Sequence, residues 1–187
     1  HDCYSLLNQM TNLKNLHLTS CNIENFENMN DLTQLESLSL TYNKITGSYS
    51  SIGSLISLQK LEMICCNLNS FHVDNKDKLI HLNELNLEGN SITFIGDIQF
   101  LPSLTVLKLD GMDIQDFNPL CNNTTLQTLE LSSHIDWSKV PEELYKLKDL
   151  QTLQLNCSII KIQPNLYKFK NLQELRISLN FSIRPKP

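Results

Sequence analysis

A hexapeptide frame, Leu-x-x-Leu-x-Leu or a one-residue variant of it, begins at Leu13, Leu35, Leu58, Leu82, Leu104, Leu126, Leu150 and Leu172. Successive starts lie 22, 23, 24, 22, 22, 24 and 22 residues apart. Self-similarity at so regular a period constrains the fold more than any other property of the chain. A unit of this length cannot bury its apolar face alone, so neighbouring units stack into a solenoid whose repeats touch only their neighbours.

The last two leucines of each frame stand two residues apart, with Met63 and Ile177 as the only replacements at the sixth position. That period puts them on the inward face of a short strand. One strand per unit makes a parallel sheet; eight strands with gaps of ~4.8 Å span on the order of 35 Å. In the other half of each unit apolar residues come every third position, as in Met29-Leu32-Leu35, Ile52-Leu55-Leu58, Ile98-Leu101-Leu104 and Leu144-Leu147-Leu150. This spacing predicts 3₁₀ or short α turns on the outer side. Pro141 before Glu142 and Glu143 marks a helix start, with φ fixed and acids near the positive end. Phe26, Phe71 and Phe117 recur at one place in their units and are expected to stack inside the solenoid. Leu6, Leu7 and Met10 read as the end of a partial unit covering the first coil. The whole is a single α/β domain over 1–187, with a partial repeat or cap at 1–12, eight repeats at 13–183 and a tail at 184–187.

Composition agrees with one continuous core in 187 residues, 41% of them hydrophobic and 19% charged. The net charge of −5 speaks against nucleic acid or an anionic membrane as a general partner. No apolar run is long enough to span a bilayer, so no membrane insertion is expected. The opening residues lack the basic and apolar regions of a signal peptide. A start at His1 fits an excised or processed segment.

LESLSLTYNKI (Leu35 to Ile45) and LNELNLEGNSI (Leu82 to Ile92) resemble the leucine-rich-repeat consensus LxxLxLxxNxI, and the resemblance runs through nearly the whole chain. The subclass is mixed. Asn43 to Leu61 resembles the plant type, with Gly47-Ser48-Tyr49-Ser50 in place of its Gly-x-Ile-Pro element. Met112 to Leu129 is closer to the internalin or phosphatase-regulator type. The resemblance implies an Asn or Cys at position nine of each unit that turns inward and bonds backbone groups of neighbouring coils. Here the residues are Cys21, Asn43, Cys66, Asn90, Met112, His134, Ser158 and Asn180. Met112 lacks the chemistry and should interrupt the ladder, and His134 reads as a ladder substitute. The sixth unit departs most, because Asp136 stands where an Ile closes the consensus and Trp137 follows; a bulge is expected there.

Six cysteines form no terminal cap framework, and Cys21 and Cys66 fall on ladder positions that suit reduced thiols. A reducing, cytoplasmic compartment is therefore expected. Adjacent Cys65 and Cys66, without CxxC or HxxxH spacing, offer no zinc set. No cofactor is implied.

The residues between the buried leucines project into the concavity. At position three they are Asn15, Ser37, Lys60, Glu84, Val106, Thr128, Thr152 and Glu174. At position five they are His17, Ser39, Glu62, Asn86, Lys108, Glu130, Gln154 and Arg176. At position seven they are Thr19, Thr41, Ile64, Glu88, Asp110, Ser132, Asn156 and Ser178. Acids gather in the middle, interleaved with Lys60 and Lys108, and like charges on a sheet cost a few tenths to ~1 kcal/mol. A basic partner protein relieves that cost and associates faster. The candidate contact set is Lys60, Glu62, Ile64, Glu84, Asn86, Glu88, Val106, Lys108, Asp110 and Glu130, with Tyr42 at one edge. A solvated polar sheet kept soluble by mixed charge explains the same residues.

Catalysis is not expected. The sequence holds no GxSxG, HExxH or GxxxxGK[ST] motif. His17, Ser39 and Glu62 line up across three strands, but an open sheet offers no oxyanion hole or water-excluding pocket. Two functions fit: a monomeric protein-recognition module acting as an intracellular adaptor or effector, and an extracellular receptor or adhesin ectodomain binding protein or glycan. The N-x-[ST] triplets at Asn122, Asn123, Asn156 and Asn180 bear on that choice.

Overall fold

The computed structural model of the protein describes residues 4, 6–26, 29–47, 49–132, 141–157 and 165–179. His134, Asp136, Trp137, Ser158 and Asn180 lie outside the described residues, as does Ser48 of the plant-type element.

Every repeat frame becomes a strand: β1 Asn15–His17, β2 Ser37–Ser39, β3 Lys60–Glu62, β4 Glu84–Asn86, β5 Val106–Leu109, β6 Thr128–Ser132, β7 Thr152–Cys157 and β8 Glu174–Leu179. They form one parallel sheet in sequence order. Leu16, Leu38, Leu61, Leu85, Leu107, Leu129, Leu153 and Leu175 fall in register across it. A coil-to-coil clamp sets that register: the N–H groups of Glu36 and Ser37 both donate to Lys14 O, at 2.8 and 3.0 Å. The same double donation recurs at each later step, from Gln59 and Lys60 to Glu36 O through to Gln173 and Glu174 on Gln151 O. Each of these carbonyls thus finds two donors.

The strands lengthen along the chain for a backbone reason. Position eight of the first five coils is left-handed: Ser20 (φ 54°), Tyr42 (58°), Cys65 (52°), Gly89 (70°) and Gly111 (77°). A left-handed residue turns the chain out of the sheet. Cys157 and Leu179, at the same place, stay within strands β7 and β8. The return halves carry 3₁₀ turns at Leu7–Gln9, Ser50–Ser54, Lys76–Lys78, Gly96–Phe100, Asn118–Asn122, Glu142–Lys146 and Leu166–Lys168, as the spacing of three predicts. Pro141 flanks its turn in an extended conformation, followed by the two acids.

Leucines of the frame and of the return turns share one core, most of them without measurable exposure. Phe26, Phe71 and Phe117 are fully buried, as expected, but they form no stack. Ile95 occupies the same place in the intervening coil and separates Phe71 from Phe117. The N-terminal cover is also smaller than expected. Leu7 packs on the core, whereas Leu6 and Met10 are 63% and 51% exposed. Tyr4 completes the cover, its hydroxyl donating to Cys21 O.

The inward ladder forms on two asparagines. Asn43 Oδ1 accepts from the N–H groups of Cys21 and Ile23 at 2.9 and 3.0 Å, and its amide donates to Leu18 O and Leu40 O, each at 2.6 Å. Asn90 repeats the pattern on Cys66 N, Leu68 N, Met63 O and Leu87 O. Between them the Cys66 thiol donates to Leu40 O at 3.1 Å. Met112 is buried with a thioether that cannot replace a carboxamide, so the asparagine ladder is interrupted at the fifth coil.

Candidate functional site

The sheet places all ten candidate residues on one face, in three parallel rows. Position three runs Lys60, Glu84, Val106 through register pairs of β3, β4 and β5. Position five runs Glu62, Asn86, Lys108, Glu130. Position seven follows from backbone bonds at the strand ends, where Tyr42 N–H donates to Ile64 O, Cys65 N–H to Glu88 O and Gly89 N–H to Asp110 O, at 2.8, 2.9 and 2.9 Å. Ile64, Glu88 and Asp110 therefore stand side by side on successive coils.

The acids do not act as one patch. Lys60 Nζ lies 3.0 Å from Glu62 and 3.0 Å from Glu84, bridging two strands. Its ammonium is held above the ordinary lysine range by the bond to Glu62, against burial and with help from Glu84. One of the two carboxylate charges of Glu62 and Glu84 is thus balanced inside this triad. Glu88 differs. Burial and the neighbouring carboxylates Glu130 and Asp110 push its pKa up, and only Lys108 pulls it down. Three acids face one lysine, which leaves the larger excess of negative charge on this side of the face.

Glu130 is 8% exposed because neighbouring amides cover it. Gln154 Nε2 and Asn156 Nδ2 both donate to its Oε1 at 2.9 Å. Asn86 is also buried, its Oδ1 accepting the Glu88 N–H at 3.0 Å and fixing the start of the position-seven row. Ile64 and Val106 are half-buried, and Tyr42 is 61% exposed at the rim. His17, Ser39 and Glu62 do line up by register, but the Ser39 hydroxyl lies 3.1 Å from Thr41 Oγ1 in its own coil. Among the described residues no group of His, Cys, Asp and Glu is arranged to hold a metal ion, and no helix is long and apolar enough to cross a membrane.

A second polar cluster, on the outer flank, was not visible in the sequence. Asp97, its side chain 12% exposed, binds Lys76 Nζ at 2.7 Å, His72 Nδ1 at 2.9 Å and the Val73 N–H at 3.0 Å. Burial alone raises the Asp97 pKa, but the Lys76 bond, the Val73 N–H and the His72 charge outweigh it and hold the carboxyl below its ordinary value. Lys76 also sits 4.8 Å from the centre of the Phe100 ring. This cluster ties two return segments together.

Eight in-register coils with an asparagine and cysteine ladder define a leucine-rich-repeat solenoid. The comparisons place it among solved structures of that fold. Internalin C2 of Listeria monocytogenes matches 91% of this chain and 84% of its own, at 21% identity and a TM-score of 0.64. Internalin InlF of the same species matches 91% of this chain and 56% of its own, at 27% identity and 0.59. Listeria InlJ, whose functional domain includes a cysteine ladder, matches 91% and 41%, at 22% identity and 0.66. In sequence, the rice (Oryza sativa subsp. japonica) disease resistance protein RGA4 is 33% identical over 76 residues, which is 41% of this chain and only 7% of that protein. No protein-family model matches the chain.

Proposed function

We propose that this solenoid is a non-catalytic recognition module that holds a basic partner protein on its concave sheet, working as an adaptor or effector. The observation that carries the reading is the uneven charge of that face. Lys60 bridges Glu62 and Glu84 and offsets one of their two charges, whereas the three acids Glu88, Asp110 and Glu130 share Lys108 and keep the larger negative excess. A partner cation on this side is attracted in the encounter and relieves repulsion once bound. A sheet of eight strands also offers the roughly 800 Å² per partner of a standard interface. A reducing, cytoplasmic setting fits the thiol chemistry: Cys66 is a working ladder donor, and Cys21 donates to Thr19 O at 3.3 Å.

The test is co-purification from native material with wild type and with a Glu62→Lys, Glu84→Lys, Glu88→Lys, Asp110→Lys variant, each checked for folding by circular dichroism. Loss of the captured partner in the folded variant supports the assignment. Equal capture by both places binding on another surface.

A further inference from the structure

Resting on that reading, the position-seven row and its rim narrow the partner to a particular local shape. We infer that the concave face takes an extended peptide segment with an apolar residue and a Lys or Arg two residues apart. The apolar side chain seats on Ile64 and Tyr42, and the cation lies between Glu88 and Asp110.

Spacing is the first argument. Ile64, Glu88 and Asp110 belong to successive coils joined by the Cys65-to-Glu88 and Gly89-to-Asp110 backbone bonds, and sheet neighbours stand ~4.8 Å apart. From Ile64 to midway between Glu88 and Asp110 is one and a half steps, about 7 Å. Alternate side chains on one face of an extended chain repeat at nearly that distance, about 6.7 Å.

The rim supplies the second argument. Along position eight the side chains shrink from Tyr42 through Cys65 to Gly89 and Gly111. The two glycines are packed together: a Cβ on Gly111 stands 3.4 Å from Gly89 Cα, and one on Gly89 collides with Cys65 Sγ at 2.5 Å. The rim is thus tall at Tyr42 and bare beside Glu88 and Asp110, so a backbone can cross it there at close range. A helix about 10 Å across also overlies the position-five row and brings the cation against Lys108.

Chemistry is the third. Tyr42 is 61% exposed and is joined to the half-buried Ile64 by a backbone bond, which puts two apolar residues on neighbouring coils one step from Glu88. An apolar residue and a cation at the wrong separation satisfy only one of the two.

Random dodecapeptides displayed on phage and selected on the intact chain test this. Enriched sequences, resynthesised with a fluorophore, are titrated against wild type, Ile64→Ser, a Glu88→Gln, Asp110→Asn pair, and a Lys60→Glu, Glu84→Lys pair. The expected result is enrichment of apolar-x-Lys/Arg or its reverse. Binding should weaken about tenfold or more in the first two variants, as loss of a charge-assisted contact implies, and by clearly less in the third. Bound peptide should also slow alkylation of the exposed Cys65 thiol. Enrichment of cations three or four residues from the apolar residue, unchanged binding in the first two variants, or no enrichment at all overturns the inference. Peptides that lose binding only in the third variant overturn it while leaving concave recognition intact. Peptides indifferent to all three variants count against both.

Discussion

Asn90 reaches back across one coil to accept the Cys66 N–H at 3.0 Å, and it is the last carboxamide of the ladder before Met112. Its two polar atoms serve Cys66 N, Leu68 N, Met63 O and Leu87 O, all inside the core. Each buried group left unpaired costs roughly 1–3 kcal/mol. Asn90→Ala should therefore destabilise the fold by about 3 kcal/mol or more, measured as a lower urea midpoint at unchanged slope. Asn90→Asp keeps the acceptor oxygen and, at low pH where the acid is neutral, one O–H donor for two carbonyls, so there it should fall between wild type and alanine.

Thiol accessibility separates the two adjacent cysteines. Cys65 is exposed on the rim, and Cys66 is buried with its thiol on Leu40 O. Burial pushes the Cys66 thiol up, partly offset by its backbone neighbour Asn43, so little reactive thiolate is present. Iodoacetamide at mildly alkaline pH should modify Cys65 within minutes and leave Cys66 untouched until denaturant is added; peptide mapping reads both. Modification of Cys66 at the same rate in the folded chain contradicts the ladder.

The strand register was legible because a leucine period of two inside a period near 22 admits one alignment, and Leu16 through Leu175 fall on it. The site rows followed from the same alternation. The left-handed column was not legible: Gly89 and Gly111 announce it, but Ser20, Tyr42 and Cys65 adopt the same φ without a glycine signal. Lys60 stood in the sequence as one of two interleaved lysines, yet only side-chain reach decides that it binds Glu62 and Glu84 together. Asp97 meets Lys76, His72 and Val73 because return segments of two coils lie side by side, and no periodicity encodes that.

Removal of Asp97 should cost about 1–3 kcal/mol, since Lys76 and the Val73 N–H lose their partner on a mostly buried site. The pH dependence has a definite sign. The folded-state carboxyl titrates below its ordinary value, so its contribution is present above that value and is lost as pH falls through the lowered one. Thermal midpoints of wild type and Asp97→Ala should differ most near neutrality and converge in strong acid.

Glu88 runs the other way. Its folded-state pKa is raised by burial, Glu130 and Asp110, so the ionised form is disfavoured in the fold. The stabilisation from holding a proton is present below the ordinary carboxylate value and disappears as pH rises through the raised one. Glu88→Gln removes that repulsion at neutral pH. It should stabilise the chain by a few tenths to about 1 kcal/mol, the scale of cross-strand like-charge pairs discounted for solvent. The gain should shrink below the carboxylate range, and a uniform gain at all pH values argues against the carboxylate origin.

Glycan occupancy can be assigned between neighbouring triplets. Asn122 is exposed, its amide 3.3 Å from Gln99 Oε1. Asn123 is 3% exposed and its Nδ2 donates to Ile98 O and Leu101 O at 3.0 and 3.2 Å. Asn156 commits its Nδ2 to Glu130. Attachment at either of the latter replaces a donor that is buried at Asn123 and half-buried at Asn156 with a bulky polar chain. Expression of the chain behind a secretion signal, with glycopeptide mass spectrometry of the folded product, should find glycan at Asn122 and none at Asn123 or Asn156. Glycan at Asn123 in folded material contradicts the packing between the turns Gly96–Phe100 and Asn118–Asn122, because that side chain joins them. Asn123→Ala should therefore destabilise the chain by about 1–2 kcal/mol, as removing a buried amide that serves two carbonyls does.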